Sequence, residues 1–408
     1  MSRILKPNNV FMNEVLPDIV QNRDNLLAGN FNAIPFSFSK LSDYVYGIQK
    51  GTQYGITGPS GSSKSKLGRD MFIYQPFQFY YENQDKIDIR VNMFCLEDNK
   101  KKVVYNLLTK AMWDHYGKRL TPKELSGDNN EAVPEEVLQQ CEGLIPYFQK
   151  FSEKVYLSNT NTATGIKKEI ETFMLDPTVG HYTDEKGKKL DHINKTIEVS
   201  VNIPGKPTTR KISEMEAHVR KGGQVRYKQL NPNLFVINII DNLQVIKPEA
   251  GNKYNTLDSF CRNLMRNHLC EFFGCANVLI QQQSQQMRQR KMSSSGELMT
   301  DTLVPSIAGL GEFKNSVQTM HHLFGIYSPF NDRLPEFHKY DITKLSYFYR
   351  HIYLLKSNFA PNVDFPLFSD PIAETFKDLP NFNDTAGMNA IYAEIANLSG
   401  ISNSKFLL

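Results

Sequence analysis

Short apolar, β-branched runs alternate with longer segments of helical spacing along most of the chain. The runs that predict strands are residues 53–57, 87–96, 155–157, 233–241, 276–281, 321–327 and 350–356. The segments that predict helices are residues 66–81, 99–116, 131–151, 164–173, 256–273 and 385–397. Because strands and helices take turns, the pattern indicates an α/β fold with a mainly parallel central sheet.

A separate helix is predicted at the amino end, over residues 10–27. Its apolar positions are Phe11, Val15, Ile19 and Leu26, and Gly29-Asn30 ends the pattern. We therefore divide the chain into an N-terminal helical segment, 1–30, and a main α/β domain, 31–408. The main domain ends in a helical tail, 384–408.

The alternation breaks at residues 177–231, which we interpret as a basic, β-rich insertion with strand-like pieces at 196–203 and 224–229. Eleven basic and six acidic residues lie between Tyr182 and Leu230, whereas the rest of the chain has 36 basic and 37 acidic residues. The whole net charge of +4 therefore resides in the insertion. Lys186, Lys188, Lys189, Arg210 and Lys211 could extend a nucleic-acid track or bind an acidic partner, and a solvated charged face is the simpler interpretation.

Composition excludes several classes of protein. The chain has 408 residues, 40% of them hydrophobic, and no apolar run approaches the roughly 18 residues that a membrane-spanning helix needs. The start lacks the apolar stretch of a signal peptide, so we expect a cytoplasmic protein without a membrane partner. The five cysteines are scattered without a C-x-x-C pair, which argues against a cysteine-based zinc site or a disulfide framework.

The stretch 54–70, YGITGPSGSSKSKLGRD, nearly matches the phosphate-binding loop G-x-x-x-x-G-K-[ST]. Small residues let the backbone wrap a phosphate closely, and the following helix adds its dipole. The predicted nucleotide-binding residues are Gly58, Pro59, Ser60, Gly61, Ser62, Ser63, Lys64 and Ser65. Lys64 would reach the β- and γ-phosphates of ATP, and Ser65 would hold Mg²⁺. Ser63 stands where the motif has glycine, and a Ser/Gly-rich surface turn is the alternative.

Polar side chains end three further predicted strands, at Glu97, Asp241 and Gln281–Gln283. Ligands of open α/β sheets bind beyond the carboxyl ends of the strands, so we expect these groups near the loop. Nucleotide hydrolysis needs one carboxylate for Mg²⁺ and another to polarise water. Asp241 could instead begin a loop, Glu97 could cap a helix, and the glutamines could begin an ordinary polar loop.

These motifs, in this order, resemble the DnaB-type replicative helicases, within the RecA-like P-loop ATPases. FNAIPFSFSKLSDYVYGIQKG is similar to the lead-in of that family, MFCLEDNKK to "F-S-L-E-M", and FVINIIDNLQVI to "I-V-I-D-Y-L-Q-L-M". ANVLIQQQS is similar to the strand that ends in a sensor glutamine, and AGLGEFKNS to "S-D-L-R-E-S-G". The resemblance covers roughly residues 10–370 apart from the insertion.

The resemblance implies a catalytic base at Glu97, magnesium support from Asp241, and a γ-phosphate sensor at Gln283, with Gln282 as the second choice. Lys356 would reach the γ-phosphate of a neighbouring subunit. The polar loop 281–311 would contact single-stranded DNA through Arg288, Arg290 and Lys291, with Lys314 near its end; a solvated charged loop is the alternative. The helix at 10–27 would pack on the adjacent subunit of a hexameric ring, with ATP between subunits.

The implied function is an ATP-dependent DNA helicase that translocates on single-stranded DNA during replication, with Mg²⁺ as cofactor and further replication proteins as possible partners. Two departures matter. Asn358 replaces the arginine of the family's K-x-R strand end, and only a linker helix, without the family's N-terminal domain, precedes the ATPase domain. A RecA-like recombinase or loader that binds DNA without unwinding it, and a nucleotide-binding structural subunit with weak hydrolysis, remain alternatives.

Overall fold

The computed structural model describes residues 11–192, 196–203, 206–249, 251–284 and 299–401. Its strands are β1 (Ala33–Pro35), β2 (Gly47–Gln49), β3 (Gln53–Gly58), β4 (Asp88–Cys95), β5 (Val155–Ser158), β6 (Gly180–Asp184), β7 (Lys189–Leu190), β8 (Thr196–Ile203), β9 (Lys206–Ser213), β10 (Val225–Gln229), β11 (Leu234–Asp241), β12 (Ala276–Gln282), β13 (His322–Tyr327), β14 (Glu336–Phe337), β15 (Tyr340–Asp341), β16 (Tyr349–Ser357), β17 (Asp364–Asp370) and β18 (Thr375–Asp378). All seven strands predicted for the central sheet are present to within one residue at each end.

Nine strands form the central sheet, in the order β18-β17-β16-β13-β3-β12-β11-β4-β5. The six strands from β13 to β5 are parallel to their neighbours, whereas β16, β17 and β18 form an antiparallel extension. The mainly parallel sheet that the sequence predicted is therefore confirmed. Its six parallel strands bring their carboxyl ends to one edge of the molecule.

Helices cover both faces of the sheet. The α-helices are α1 (Leu16–Leu27), α2 (Ser39–Ser42), α3 (Lys64–Arg69), α4 (Gln75–Glu82), α5 (Lys100–Tyr116), α6 (Pro122–Ser126), α7 (Glu135–Gly143), α8 (Ile145–Lys154), α9 (Ala163–Met174), α10 (Glu214–Arg220), α11 (Lys253–Ser259), α12 (Ser316–Thr319), α13 (Ile342–Leu345) and α14 (Thr385–Ile401). Segments of wider π-helix lie directly before α1, at Phe11–Val15, and directly after α3 and α11, at Asp70–Tyr74 and Phe260–Phe272. Short 3₁₀ turns lie at Leu243–Val245, Thr300–Thr302, Ala308–Asn315, Pro329–Asp332 and Ser346–Phe348.

Alternate residues of β4, β11 and β12 face two separate apolar layers. In β11, Ile237 and Ile239 pack with the helix that follows β3, whereas Val236 and Ile240 pack with α9 and the helix at Phe260–Phe272. A strand buried on both faces reads as a continuous apolar run, because successive side chains point to opposite sides. This explains why 233–241 is the most apolar stretch of the chain.

Three features differ from the predicted elements. Residues 131–151 form two helices, α7 and α8, because Pro146 in the first turn of α8 lacks the N–H that a continuous helix would use. The strands β17 and β18 were not predicted, since Pro366 and the short length of β18 weaken the strand pattern. The helix predicted at 66–81 begins earlier, at Lys64.

The described residues of segment 177–231 contribute no strand to the central sheet. Its β6, β7 and β10 form a small antiparallel sheet, and β8 pairs with β9 as a hairpin. Lys186, Lys188, Lys189 and Lys211 are exposed, whereas the side chain of Arg210 lies outside the described residues. No helix in the described ranges combines the length and the apolar content needed to cross a membrane.

Candidate nucleotide-binding site

The predicted phosphate-binding loop joins β3 to α3. Residues 59–63 form a tight turn in which the N–H and the hydroxyl of Ser62 donate to the carbonyl of Pro59, the hydroxyl at 2.8 Å. The Lys64 ammonium donates to the same carbonyl at 2.8 Å. Only glycine fits at Gly58, because a Cβ there would lie 2.3 Å from the carbonyl oxygen of Ile326. The helix that begins at Lys64 directs its first N–H groups toward the turn.

Ser63 adopts the backbone conformation that the motif normally assigns to glycine. Its φ is +77°, in the left-handed region. Its hydroxyl accepts hydrogen bonds from Nη2 and Nε of Arg350, at 3.0 and 3.3 Å. The serine is therefore accommodated by a partner from β16.

Arg350 is an unusual cation beside the loop, because it is buried with 4% of its surface exposed. Its other hydrogen bonds go to the backbone carbonyls of Tyr347 and Tyr349, both at 2.8 Å. In the described part of the chain no carboxylate pairs with it, and burial lowers the pKa of its guanidinium to about 10. A buried charge without a counter-ion is costly, and a bound anion would supply one.

The two residues predicted to hold Mg²⁺ are in direct contact. The Ser65 hydroxyl donates to Oδ1 of Asp241 at 3.1 Å. Asp241 ends β11 and is 7% exposed, and burial raises the pKa of its carboxyl while the nearby Arg69 opposes that shift. Hydroxyl and carboxylate oxygens suit Mg²⁺, so these residues fit the ion that the fold implies.

Glu97 lies beside Asp241, just beyond the end of β4. The backbone N–H groups of Leu96 and Glu97 donate to the carbonyl of Asp241, at 2.7 and 3.4 Å. The side chain of Asn242 donates to the Glu97 carboxylate at 3.4 Å. The Glu97 side chain is exposed, so a water molecule can reach it.

Gln283 connects the phosphate-loop strand to the segment that follows the polar loop. Its side-chain amide donates to the Thr57 hydroxyl at 3.1 Å and to the carbonyl of Ser306 at 2.9 Å. Gly309 packs so tightly against it that a Cβ would overlap the Gln283 amide oxygen. Gln282 instead accepts a hydrogen bond at its carbonyl from Gln244. Of the two glutamines, Gln283 makes the contacts that a sensor would need.

The predicted DNA-contacting residues Arg288, Arg290 and Lys291 lie outside the described residues. Lys314 is described and exposed, in the turn Ala308–Asn315. The N–H of Ser284 donates to the carbonyl of Gly309 at 2.7 Å, so both ends of the polar loop meet beside Gln283.

Lys356 does not join the other predicted residues within one chain. It lies at the far end of β16, level with Gly55 rather than with the loop. Its ammonium donates to the carbonyls of Val317 and Met320, at 2.8 and 2.7 Å. Next to it, Asn358 and Phe359 are exposed, and Phe359 exposes 76% of its surface.

The sequence did not place Arg350 at the loop, and it gave no sign of Asn331, whose side chain donates to the carbonyl of Gly61 at 3.1 Å. The turn that follows β13 therefore contacts the phosphate-binding loop. The available signal for Arg350 was a basic residue at the start of β16. That signal points to the loop only if β16 runs antiparallel to β13, and this direction was not predicted.

No family model and no curated protein sequence matches the chain. Solved structures do match it. One of them, described as an ATPase domain, is 16% identical, with a TM-score of 0.59, and the match covers 92% of this chain and 100% of that one. A second match, "The Structure Of A DnaB-Like Replicative Helicase And Its Interactions With Primase", is 14% identical, with a TM-score of 0.57 and coverage of 92% and 69%. The chain thus has the RecA-like P-loop fold of the ATPase domains of DnaB-like helicases.

Proposed function

We propose that this protein is an ATP-dependent DNA helicase of the DnaB type, which translocates on single-stranded DNA as a hexameric ring during replication. The observation that supports this most is the 3.1 Å contact between Ser65 and Asp241, with Glu97 and Gln283 at neighbouring strand ends. This is the constellation that ATP hydrolysis requires, with a phosphate loop, a metal carboxylate and a base on one edge of the sheet.

Each residue has a distinct role in this proposal. The backbone of Gly58–Ser65 would wrap the phosphates of ATP. The Lys64 ammonium would give up its hydrogen bond to the Pro59 carbonyl and donate to phosphate oxygens instead. Ser65 and Asp241 would hold Mg²⁺, which when bound neutralises charge on the phosphates. Glu97 would orient the attacking water and accept its proton.

Arg350 would donate to the phosphates from within the same subunit. Its guanidinium already contacts the loop through Ser63, and it lacks a paired carboxylate among the described residues. A cation in this position would partly compensate for the family's K-x-R arginine, whose place Asn358 takes in this chain.

Gln283 would couple the nucleotide to DNA. The hydrogen bonds that its side-chain amide donates to Thr57 and Ser306 join the phosphate-loop strand to the end of the polar loop. Loss of the γ-phosphate would shift this amide and with it the loop that carries Arg288, Arg290 and Lys291. These cations and Lys314 would pair with DNA phosphates, which is a contact without sequence preference.

Two surfaces support a ring. The helix α1 has no buried residue within the chain, and its exposed apolar side chains include Ile19, Val20 and Leu26. These side chains would pack on the adjacent subunit, so that segment 1–30 links neighbouring ATPase domains (31–408). Lys356 and Phe359 would face the ATP site of another subunit.

Unwinding of a forked DNA duplex tests the proposal. The wild-type protein with ATP and Mg²⁺ should separate the strands, and Glu97→Gln should bind ATP without unwinding. Hydrolysis that is stimulated by single-stranded DNA but never unwinds a fork would favour the recombinase or loader. Turnover no higher than that of Glu97→Gln would instead favour a structural subunit, which the departures at Ser63 and Asn358 support.

A further inference from the structure

A second cluster of ligand-type side chains lies away from the nucleotide site, on three separate elements. His338 occupies the turn between β14 and β15, His351 lies in β16, and Asp364 begins β17. One potential ligand atom of each residue lies within 4.8 Å of the other two. The Nε2 atom of His351 is 2.6 Å from Oδ2 of Asp364, and Nδ1 of His338 is 3.7 Å from the same oxygen.

We propose that His338, His351 and Asp364 bind a divalent transition-metal ion, for which Zn²⁺ is the best match. Two imidazoles and one carboxylate are the donor set that zinc accepts when a fourth position is left to water. The ligand atoms of a tetrahedral zinc ion lie about 3.3 Å apart, given bonds of about 2.0–2.1 Å. The observed separations of 2.6 and 3.7 Å bracket this value.

Contacts behind His351 favour this role. The residue is 1% exposed, and its Nδ1 lies 2.8 Å from the Tyr349 hydroxyl. A hydrogen bond at Nδ1 fixes the ring so that Nε2 points to the cluster, as in most metal-bound histidines.

A buried polar group next to the cluster has no partner. The Tyr353 hydroxyl is buried without a hydrogen bond among the described residues, and its ring lies 4.9 Å from that of His351. Buried hydroxyls nearly always find partners. A metal-bound water or a rotated Asp364 carboxylate would give Tyr353 one.

The site is open to solvent and is held by a costly turn. The side chains of His338 and Asp364 are 48% and 41% exposed, so an ion can enter. His338 and Lys339 have φ values of +50° and +67°, in a two-residue turn where Asn-Gly is preferred. A bound ion would join this turn to β16 and β17.

Zinc titration of the metal-stripped full-length protein by calorimetry, with excess Mg²⁺ present, tests the proposal. The wild type should bind one Zn²⁺ per chain at this site. His338→Gly should weaken that binding by at least about tenfold. Glycine tolerates the positive φ, so the unliganded variant should melt at or above the wild-type temperature, which separates lost ligation from misfolding.

Asp364→Asn should weaken zinc binding similarly, whereas the control His218→Gln, at a histidine paired with Glu185 at 2.9 Å, should leave it unchanged. Bound Co²⁺ should give the visible absorption of a four-coordinate site in the wild type and in His218→Gln, but not in His338→Gly or Asp364→Asn. The proposal is overturned if the wild type binds no zinc, or if His338→Gly binds it as tightly as the wild type.

Discussion

Ser63 and Arg350 act as a pair at the centre of the phosphate-binding turn. A non-glycine residue in the left-handed region costs roughly 1–2 kcal/mol, and Ser63 has a φ of +77°. The two hydrogen bonds from Arg350 offset part of that cost. They also hold a guanidinium against the loop, where phosphate oxygens would arrive.

We therefore expect Arg350→Ala to weaken binding of Mg·ATP about tenfold, since one charged hydrogen bond contributes about 1.5 kcal/mol or more. Arg350→Lys should lie between this variant and the wild type. Titration with a fluorescent ATP analogue measures the effect, with Arg262→Ala on an exposed helix face as control. Wild-type affinity for Mg·ATP in a folded Arg350→Ala protein would show that the guanidinium stabilises the loop through Ser63 and does not bind phosphate.

Among single residues, the sequence predicted the positions of polar side chains at the carboxyl ends of parallel strands. The sequence predicted that Asp241 and Glu97 lie near each other, because the carboxyl ends of parallel strands meet at one edge of a sheet. The structure places them at the ends of the neighbouring strands β11 and β4. The contact between Ser63 and Arg350 spans 287 positions and depends on an antiparallel strand. No local pattern encodes that contact.

At the scale of elements, buried ion pairs tie the helix after the loop to the antiparallel extension of the sheet. Arg69 in α3 donates to both carboxylate oxygens of Glu374, in the β17–β18 connection, at 2.9 and 2.5 Å. Their side chains are 3% and 1% exposed. Arg119 pairs with Asp370 nearby in the same way, at 2.7 Å. The connection β17–β18 therefore stabilises the helix that follows the candidate phosphate-binding loop.

Glu374→Gln should lower the free energy of unfolding by about 3–5 kcal/mol, because it leaves the Arg69 charge buried without its partner. Urea denaturation measures this change. The control is Lys102→Ala, which removes an exposed pair with Asp98 and should cost less than about 1 kcal/mol. Equal stabilities of the two variants would contradict a supporting role for the buried pair.

The inner parallel strands, such as β11, were predicted to within a residue because burial on both faces makes them continuous apolar runs. The strands β17 and β18 escaped prediction because they carry polar residues and Pro366. They gain their order from pairing, β17 with β16 and β18 with β17. Their pairing is a tertiary effect that a single sequence does not report.

At the scale of the whole molecule, α1 is a helix that has no buried residue in the described part of the chain. Exposed fractions of 54% at Ile19 and 59% at Leu26 would be costly in a monomer. Contact with a second subunit would bury these side chains.

The double variant Ile19→Asp, Leu26→Asp should therefore reduce the assembly to smaller species without changing the melting temperature of the monomer. Light scattering with an ATP analogue and Mg²⁺ measures the mass. The control is Arg23→Ala on the same helix, which should assemble like the wild type. A double variant of wild-type mass would contradict assembly through α1.

In the proposed mechanism, Gly58–Ser65 binds a triphosphate opposite Asp241 and Glu97. The most direct measurement is steady-state ATP hydrolysis with single-stranded DNA by the wild type, Lys64→Ala and Glu97→Gln. We predict that the wild type turns over ATP and that each variant loses a hundredfold or more of that rate, on the order expected for a lost catalytic group. Hydrolysis by both variants at the wild-type rate would contradict the account.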